Sequence, residues 1–330
     1  MHLSNRLRDW IVEFKPDLVY SQLSDLPTMT LVSEILDATG LPFALHVMDD
    51  WPSSMYRRGA FSRIVRGRAD RALASLLRRA AARMAIGDAM AQEYLRRYGV
   101  PFVAIQNSVD LARRSSLADL HRLEYAHPPG PPMMVVYAGR VGRANASSLV
   151  AVANVVVDMV SAGVPLRLRV YTGSVNHPAV ERMSRLEGVE LRPAVPYDHM
   201  PALLESADVL LMPLDFDEDA VRFARLSMPT KIPEYMAAGR PVLPYAPRGC
   251  AASEYAWDGG WSLLVDRPDP ASLREALSSL VDDPKGRETM GATGRALAAM
   301  RHDASEVRAE FTDQLALAAS WPDHAARVGS

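Results

Sequence analysis

Two rhythms of apolar and polar positions alternate along the chain. Short apolar runs at residues 16–22, 41–48, 83–87 and 101–106 read as buried strands. Between them, residues 1–14, 28–40, 57–84 and 88–99 read as helices, and Gly40 and Gly99 close two of these. Residues 107–110 read as a turn.

The sequence His-Pro-Pro-Gly-Pro-Pro at 127–132 is a segment that no helix or central strand tolerates. A second run of the same alternation starts immediately after it. Strands are expected at 133–139, 166–173, 189–193, 208–214 and 240–245. Helices are expected at 146–163, 181–186, 198–207, 231–239 and around 251–257, with helical segments in the remainder. Such alternation predicts parallel sheets covered on both faces. The expected organisation is two Rossmann-like α/β domains with a cleft between them. These span 1–126 and 133–330, joined by a linker at 127–132, and the last helical segment crosses back to the first domain. Parallel sheets place ligand sites at the carboxyl ends of their strands.

Composition adds boundaries. The 330 residues exceed what one hydrophobic core usually serves. Hydrophobic residues make up 48% and charged residues 23%, an ordinary globular mix, and the net charge of -2 gives no sign of wholesale nucleic-acid binding. A single cysteine, Cys250, excludes an intramolecular disulfide and a thiolate metal cluster. The first 14 residues carry charges throughout and lack the apolar centre of a signal peptide. The longest weakly charged apolar stretch, 147–166, is interrupted by Asp158 and is too short to span a bilayer. A cytoplasmic protein is expected, or one peripheral to the inner face of the cell membrane.

Only three residues are lysines, Lys15, Lys231 and Lys285, so the place of Lys231 draws notice. It opens the expected helix at 231–239, with Thr230 as an N-cap and Pro233 in the first turn. A cation there opposes the helix dipole unless an anion binds at the same end. Lys231 is therefore a candidate phosphate ligand. Glu234 lies nearly one turn on, close to the same face, where a carboxylate can accept two hydrogen bonds from a ribose. Arg140 follows the strand at 133–139, and its donor fork suits a phosphate. The competing readings are an exposed lysine, a dipole-complementing glutamate and a surface arginine beside a turn.

The segments Tyr-Ala-Gly-Arg at 137–140 and Pro-Thr-Lys-Ile-Pro-Glu-Tyr-Met-Ala-Ala-Gly-Arg-Pro-Val-Leu at 229–243 carry a resemblance, in order, with Ile-Gln-Asn-Ser-Val-Asp at 105–110 and His-Val-Met-Asp-Asp-Trp-Pro at 46–52. The chain resembles retaining glycosyltransferases of family 4, which have the two-domain GT-B fold. The resemblance implies sugar transfer from a nucleotide-diphosphate sugar to a glycan or glycolipid, as in polysaccharide biosynthesis. It further implies that Arg140 and Lys231 contact the donor phosphates and that Glu234 holds the ribose. The base would pass along Arg192 to Val195. Three departures accompany it. Leu226 stands where the family often has a first glutamate, leaving donor-sugar contacts to backbone, Ser227 or Thr230. Arg143 and Asn145 stand where a lysine often follows the Gly-Arg pair. The family's opening strand and glycine-rich loop are missing, so the first domain is expected to be truncated at its start.

On the acceptor side, strand alternation puts His46, Met48 and Asp50 on one face. Asp49 is assigned to the acceptor, His46 to acceptor or donor sugar, and Asp50 to a cap or the acceptor. Catalysis in this reading is positioning and electrostatic stabilisation by His46, Asp49, Arg140 and Lys231, with the leaving diphosphate taking the acceptor proton. Residues 215–219, Asp-Phe-Asp-Glu-Asp, read as an acidic loop, and no essential metal is expected. From 57 to 97 there are 11 arginines against 3 acids, with Phe61, Ile64 and Val65 among them. A helix of that kind can lie on anionic lipid, or it can simply be a solvated arginine face over an apolar one. The alternatives to transfer are a non-catalytic sugar-nucleotide-binding or scaffold protein and a nucleotide-sugar epimerase.

Overall fold

The computed structural model describes residues 1–57, 61–127 and 130–321. Parts of two expected segments, the helix at 57–84 and the linker at 127–132, lie outside the described residues. The chain forms two compact units. One comprises Met1–Gln106, Leu226–Met228 and the chain from Ser305 onward, and the other comprises Asn107–Arg225 and Pro229–Ala304.

The first unit runs α1 (Asn5–Phe14), β1 (Val19–Ser21), α2 (Leu26–Thr39), β2 (Phe43–Val47), α3 (Trp51–Ser54), α4 (Ser62–Arg79), β3 (Ala82–Ala85), α5 (Asp88–Tyr98) and β4 (Val103–Ala104). Its four strands are parallel in the order β1-β2-β3-β4. Side chains alternate across β2. Phe43, Leu45 and Val47 pack with Met29, Leu73 and Leu76 on one face, while Ala44 packs with Met84 and Ile105 on the other. The helix expected through residue 84 ends at Arg79, because Ala80 turns extended and the chain enters β3.

The second unit runs α6 (Leu111–Tyr125), β5 (Met133–Ala138), α7 (Ala146–Ser161), β6 (Leu166–Thr172), α8 (Pro178–Met183), β7 (Val189–Pro193), a 3-10 turn at Tyr197–His199, α9 (Met200–Ser206) and β8 (Val209–Pro213). It continues with α10 (Glu218–Ala224), α11 (Lys231–Ala237), β9 (Val242–Tyr245), α12 (Ala251–Asp258), α13 (Pro270–Asp282) and α14 (Pro284–Arg301). The sheet is parallel, in the order β7-β6-β5-β8-β9. Its central strands are buried throughout, as strands covered on both faces must be. The stretch 261–265 adds only isolated bridges to β9.

Helix α6 was not expected from the sequence, and it belongs to the second unit. Asp110 caps it by accepting from the Arg113 amide at 2.9 Å, and the buried Arg114 pairs with Glu205 at 2.5 Å. The units thus divide at Gln106/Asn107, and the expected linker at 127–132 lies within the second unit. A last helix, α15 (Ala304–Ala319), lays Phe311, Leu315 and Ala318 against the Ala44 face of the first sheet.

Candidate functional site

The site is built at the carboxyl end of β5. Tyr137, fully buried, donates to the Arg140 carbonyl at 2.5 Å and accepts from Asn145 Nδ2 at 2.8 Å. Asn145 also bonds the Arg140 carbonyl at 3.0 Å and, through Oδ1, the Gly142 amide at 3.0 Å. These bonds fix the turn that follows the strand. Gly139 holds φ +153, a conformation that favours glycine, and a Cβ there would stand 2.5 Å from Lys231 Nζ and push the ammonium aside.

Lys231 opens α11 and reaches back to this turn. Its Nζ donates to the Ala138 carbonyl at 3.2 Å and lies 4.6 Å from the Tyr137 ring centroid and 6.0 Å from that of Tyr235. Burial pushes the lysine down to about 8, against an ordinary value of 10.5. The side chain is half-buried and has no carboxylate partner among the described residues. Carbonyl and ring faces stabilise the ammonium only in part. Thr230 is exposed and makes no side-chain cap, a correction to its expected role: its backbone is already helical, which turns the hydroxyl away from the orphan amides.

Arg140 and Arg143 are exposed on the turn after β5, and neither guanidinium makes a hydrogen bond or ion pair among the described residues. Lys231 and the Arg140 turn therefore meet at one strand end. Glu234, one turn along α11, accepts from the Tyr197 hydroxyl at 3.1 Å. The Arg114 Nε, which is buried without a hydrogen bond, lies 3.7 Å from its other oxygen. Arg192 is exposed at the end of β7 and pairs with Glu190 at 3.1 Å, and Val195 is half-buried two residues past the strand.

The acidic string 215–219 does structural work. Buried Asp215 accepts from the Ser147 and Ser148 amides at 3.2 and 2.6 Å, supplying the anion at the start of α7. Asp217 caps α10, and Glu218 and Asp219 lie in its first turn, so the string reaches into a helix instead of remaining a loop.

In the first unit the three acceptor-side residues part company. Asp49 is exposed and accepts from Ser227 Oγ at 3.0 Å. Asp50 is 2% exposed and takes both Arg97 Nη1 at 2.7 Å and Nη2 at 2.9 Å, with Tyr94 Oη at 3.2 Å. The cap or acceptor role expected of Asp50 is corrected accordingly: its oxygens are consumed by a buried ion pair, and it makes no side-chain cap. His46 is 5% exposed beneath Tyr20 and Phe311, with its Nδ1 3.2 Å from the Tyr20 hydroxyl. Burial pushes it down to about 4, opposed by a backbone hydrogen bond at Ile105. It faces α15, on the opposite side of β2 from Leu45 and Val47. Leu226 is buried in the core of the first unit, packed in the same cluster as Leu45 and Leu73.

Sequence reading does not single out Tyr137, Tyr197, Tyr235 or Arg114. Only Tyr137 leaves a local signal, as the polar-tipped residue that ends a buried strand before a Gly-Arg pair.

Two family models match the chain, a glycosyl transferase 4-like domain over residues 1–107 and glycosyl transferases group 1 over residues 132–283. No curated protein matches. The fold is GT-B, similar to several solved structures. Anabaena HepE in complex with UDP-glucose matches with a TM-score of 0.66 and 16% identity, covering 94% of this chain and 82% of that one. Sucrose-phosphate synthase from Thermosynechococcus elongatus matches with a TM-score of 0.67 and 14% identity, covering 93% and 74%. WaaG, a glycosyltransferase involved in lipopolysaccharide biosynthesis, matches with a TM-score of 0.62 and 16% identity, covering 92% and 79%.

Proposed function

From the premise that this chain is a glycosyltransferase, built of a 4-like domain and a group 1 domain, we propose that it moves a sugar from a nucleoside-diphosphate donor to a glycan or lipid-linked acceptor with retention. The first unit serves the acceptor and the second the donor. The observation that carries this reading is Lys231, a half-buried ammonium without a counter-carboxylate beside a turn that offers two unpaired arginines. A diphosphate is the anion whose geometry and charge suit this set of cations. Arg140 and Arg143 reach its outer oxygens, and Thr230 lies beside them.

Glu234 holds the ribose, oriented by Tyr197, and the base runs along Arg192 to Val195. The UDP-glucose of the HepE complex makes a uridine nucleotide the first candidate. Asp49, held by Ser227, is the acceptor-side acid. The leaving diphosphate accepts the acceptor proton, so the charge on Lys231 and Arg140 stabilises the transition state. His46 contributes by supporting β2 beneath this loop. Leu226, where relatives often carry an acid, leaves the donor sugar to backbone and to neighbouring hydroxyls.

Calorimetric titration with UDP, GDP and ADP tests the donor site. One nucleotide class should bind, and Lys231→Ala should weaken it at least tenfold. Equal affinity in the variant would remove the phosphate role.

The acceptor of this reading brings the chain to a lipid surface. Among the described residues no helix is long and apolar enough to cross a membrane. At the start of α4, however, Phe61 and Ile64 are exposed beside Arg63, Arg68 and Arg71. Apolar anchors among arginines suit anionic lipid. Sedimentation with phosphatidylglycerol vesicles should carry the protein down at low salt and release it at high salt. Absence from the pellet at both salts would end this part of the proposal.

A further inference from the structure

A second cluster of chemically capable side chains lies outside the donor site, where α6 meets the 3-10 turn Tyr197–His199. His121 and Glu124 are one helical turn apart on α6, and His199 comes from the turn. His121 Nδ1 is 2.7 Å from one Glu124 oxygen and His199 Nδ1 is 3.1 Å from the other. The two imidazoles stack with centroids 3.7 Å apart and planes at 22°. The three ligand atoms lie within 4.8 Å of one another. The Tyr125 hydroxyl is 3.0 Å from His199 Nδ1.

We infer that His121, Glu124 and His199 form a binding site for a divalent transition ion of the zinc type, which clips the 3-10 turn to α6. Two imidazole nitrogens and one carboxylate oxygen are a donor set that suits zinc, and a water beside Tyr125 completes four positions. Tetrahedral zinc spaces its ligand atoms by roughly 3.3 Å, and the two rings, stacked here at 22°, must turn about their side-chain bonds so that their in-plane lone pairs converge on the ion. Each ring binds through Nδ1 as the neutral tautomer that carries its proton on Nε2, and the ion replaces two hydrogen bonds to Glu124.

The clip has a reach beyond itself. Arg113 already pairs with Asp198 at 3.2 Å in the middle of the same turn. Tyr197, two residues before His199, donates to Glu234. An ion on His199 therefore immobilises the segment that orients Glu234. The site stands apart from the donor reading, since its test uses metal alone.

The untagged full chain, freed of metal by chelation, is titrated with zinc chloride against a chromophoric chelator, with thermal unfolding followed in parallel. The wild type should take one zinc and gain a higher unfolding midpoint. His121→Ala and His199→Ala should each lose at least tenfold in affinity. His2→Ala, which alters another histidine-glutamate pair, should bind as the wild type does. Glu124→Gln keeps a hydrogen-bonding side chain in place, so its loss of zinc at an unchanged zinc-free midpoint separates ligation from folding. No zinc uptake at about 100 µM free ion, or wild-type affinity in His121→Ala, His199→Ala and Glu124→Gln, would overturn the inference.

Discussion

The ammonium of Lys231 sits 4.6 Å from the centroid of Tyr137, with the Ala138 carbonyl its hydrogen-bond acceptor. Such a group is less stable charged than it would be in water, and burial lowers its affinity for a proton to about 8. The unfolded chain therefore binds more protons between pH 8 and 10.5, and folding stability rises across that interval and is lost again as pH falls. At pH 7 the charge is a cost. Lys231→Met should raise stability at pH 7 by about 1–3 kcal/mol, seen as a higher urea midpoint, while nucleotide binding fails.

The same proton sets the pH dependence of donor binding. A diphosphate favours the ammonium form, so affinity should be flat from about pH 7, where the UDP terminal phosphate is ionised, to pH 8. It should fall toward tenfold per unit from pH 8 to 9.5. Calorimetry with UDP across this range checks the slope, and Lys231→Arg should flatten it.

Gly139 is where backbone and side chain compete for one space. With φ +153 and a Cβ only 2.5 Å from Nζ, Gly139→Ala displaces the ammonium. A loss of about 1–3 kcal/mol is expected, together with at least tenfold weaker nucleotide binding. Unfolding and binding titrations on the same variant separate the two effects.

Asp49 and Asp50 should behave as opposites. Asp50→Asn removes one carboxylate from the half-buried Arg97, which keeps Glu93 at 2.7 Å, and should cost about 1–3 kcal/mol. Residual transfer activity should remain in the folded fraction. Asp49→Asn should leave the unfolding midpoint unchanged and lower transfer at least tenfold. Chemical denaturation paired with a transfer assay distinguishes them.

His46 gives an acid limb. Its folded form resists protonation down to about 4, whereas the unfolded histidine titrates near 6.5. Stability present above 6.5 is lost as pH falls toward 4, with about 2 kcal/mol gone by pH 5. His46→Leu should remove that limb from urea-denaturation curves measured at pH 7 and pH 5.

Local relationships were readable from the sequence and distant ones were not. Lys231 and Glu234 share a helix turn, so their spacing alone brings them together. Arg140 was readable because a buried strand ends just before it. The partners that shape their chemistry lie far off in sequence. Tyr137 meets Lys231 across a strand and a helix, and Arg114 meets Glu234 from α6, whose weak amphipathic pattern hid it. Asp49 and Asp50 are indistinguishable as letters, and only packing against Arg97 and Tyr94 separates them. His46 shows the limit of alternation. The period-2 rule grouped it with Met48 and Asp50, but Met48 packs with the Leu45 cluster, while His46 lies on the other face of β2 beneath a helix formed some 265 residues later.

Helix α15 covers the Ala44 face of a sheet whose strands were all synthesised within the first 106 residues. On the ribosome, that face must wait for the whole second unit to emerge before Phe311 and Leu315 can cover it. The first sheet is thus completed only after the second unit has been made, and its apolar face is exposed throughout that delay.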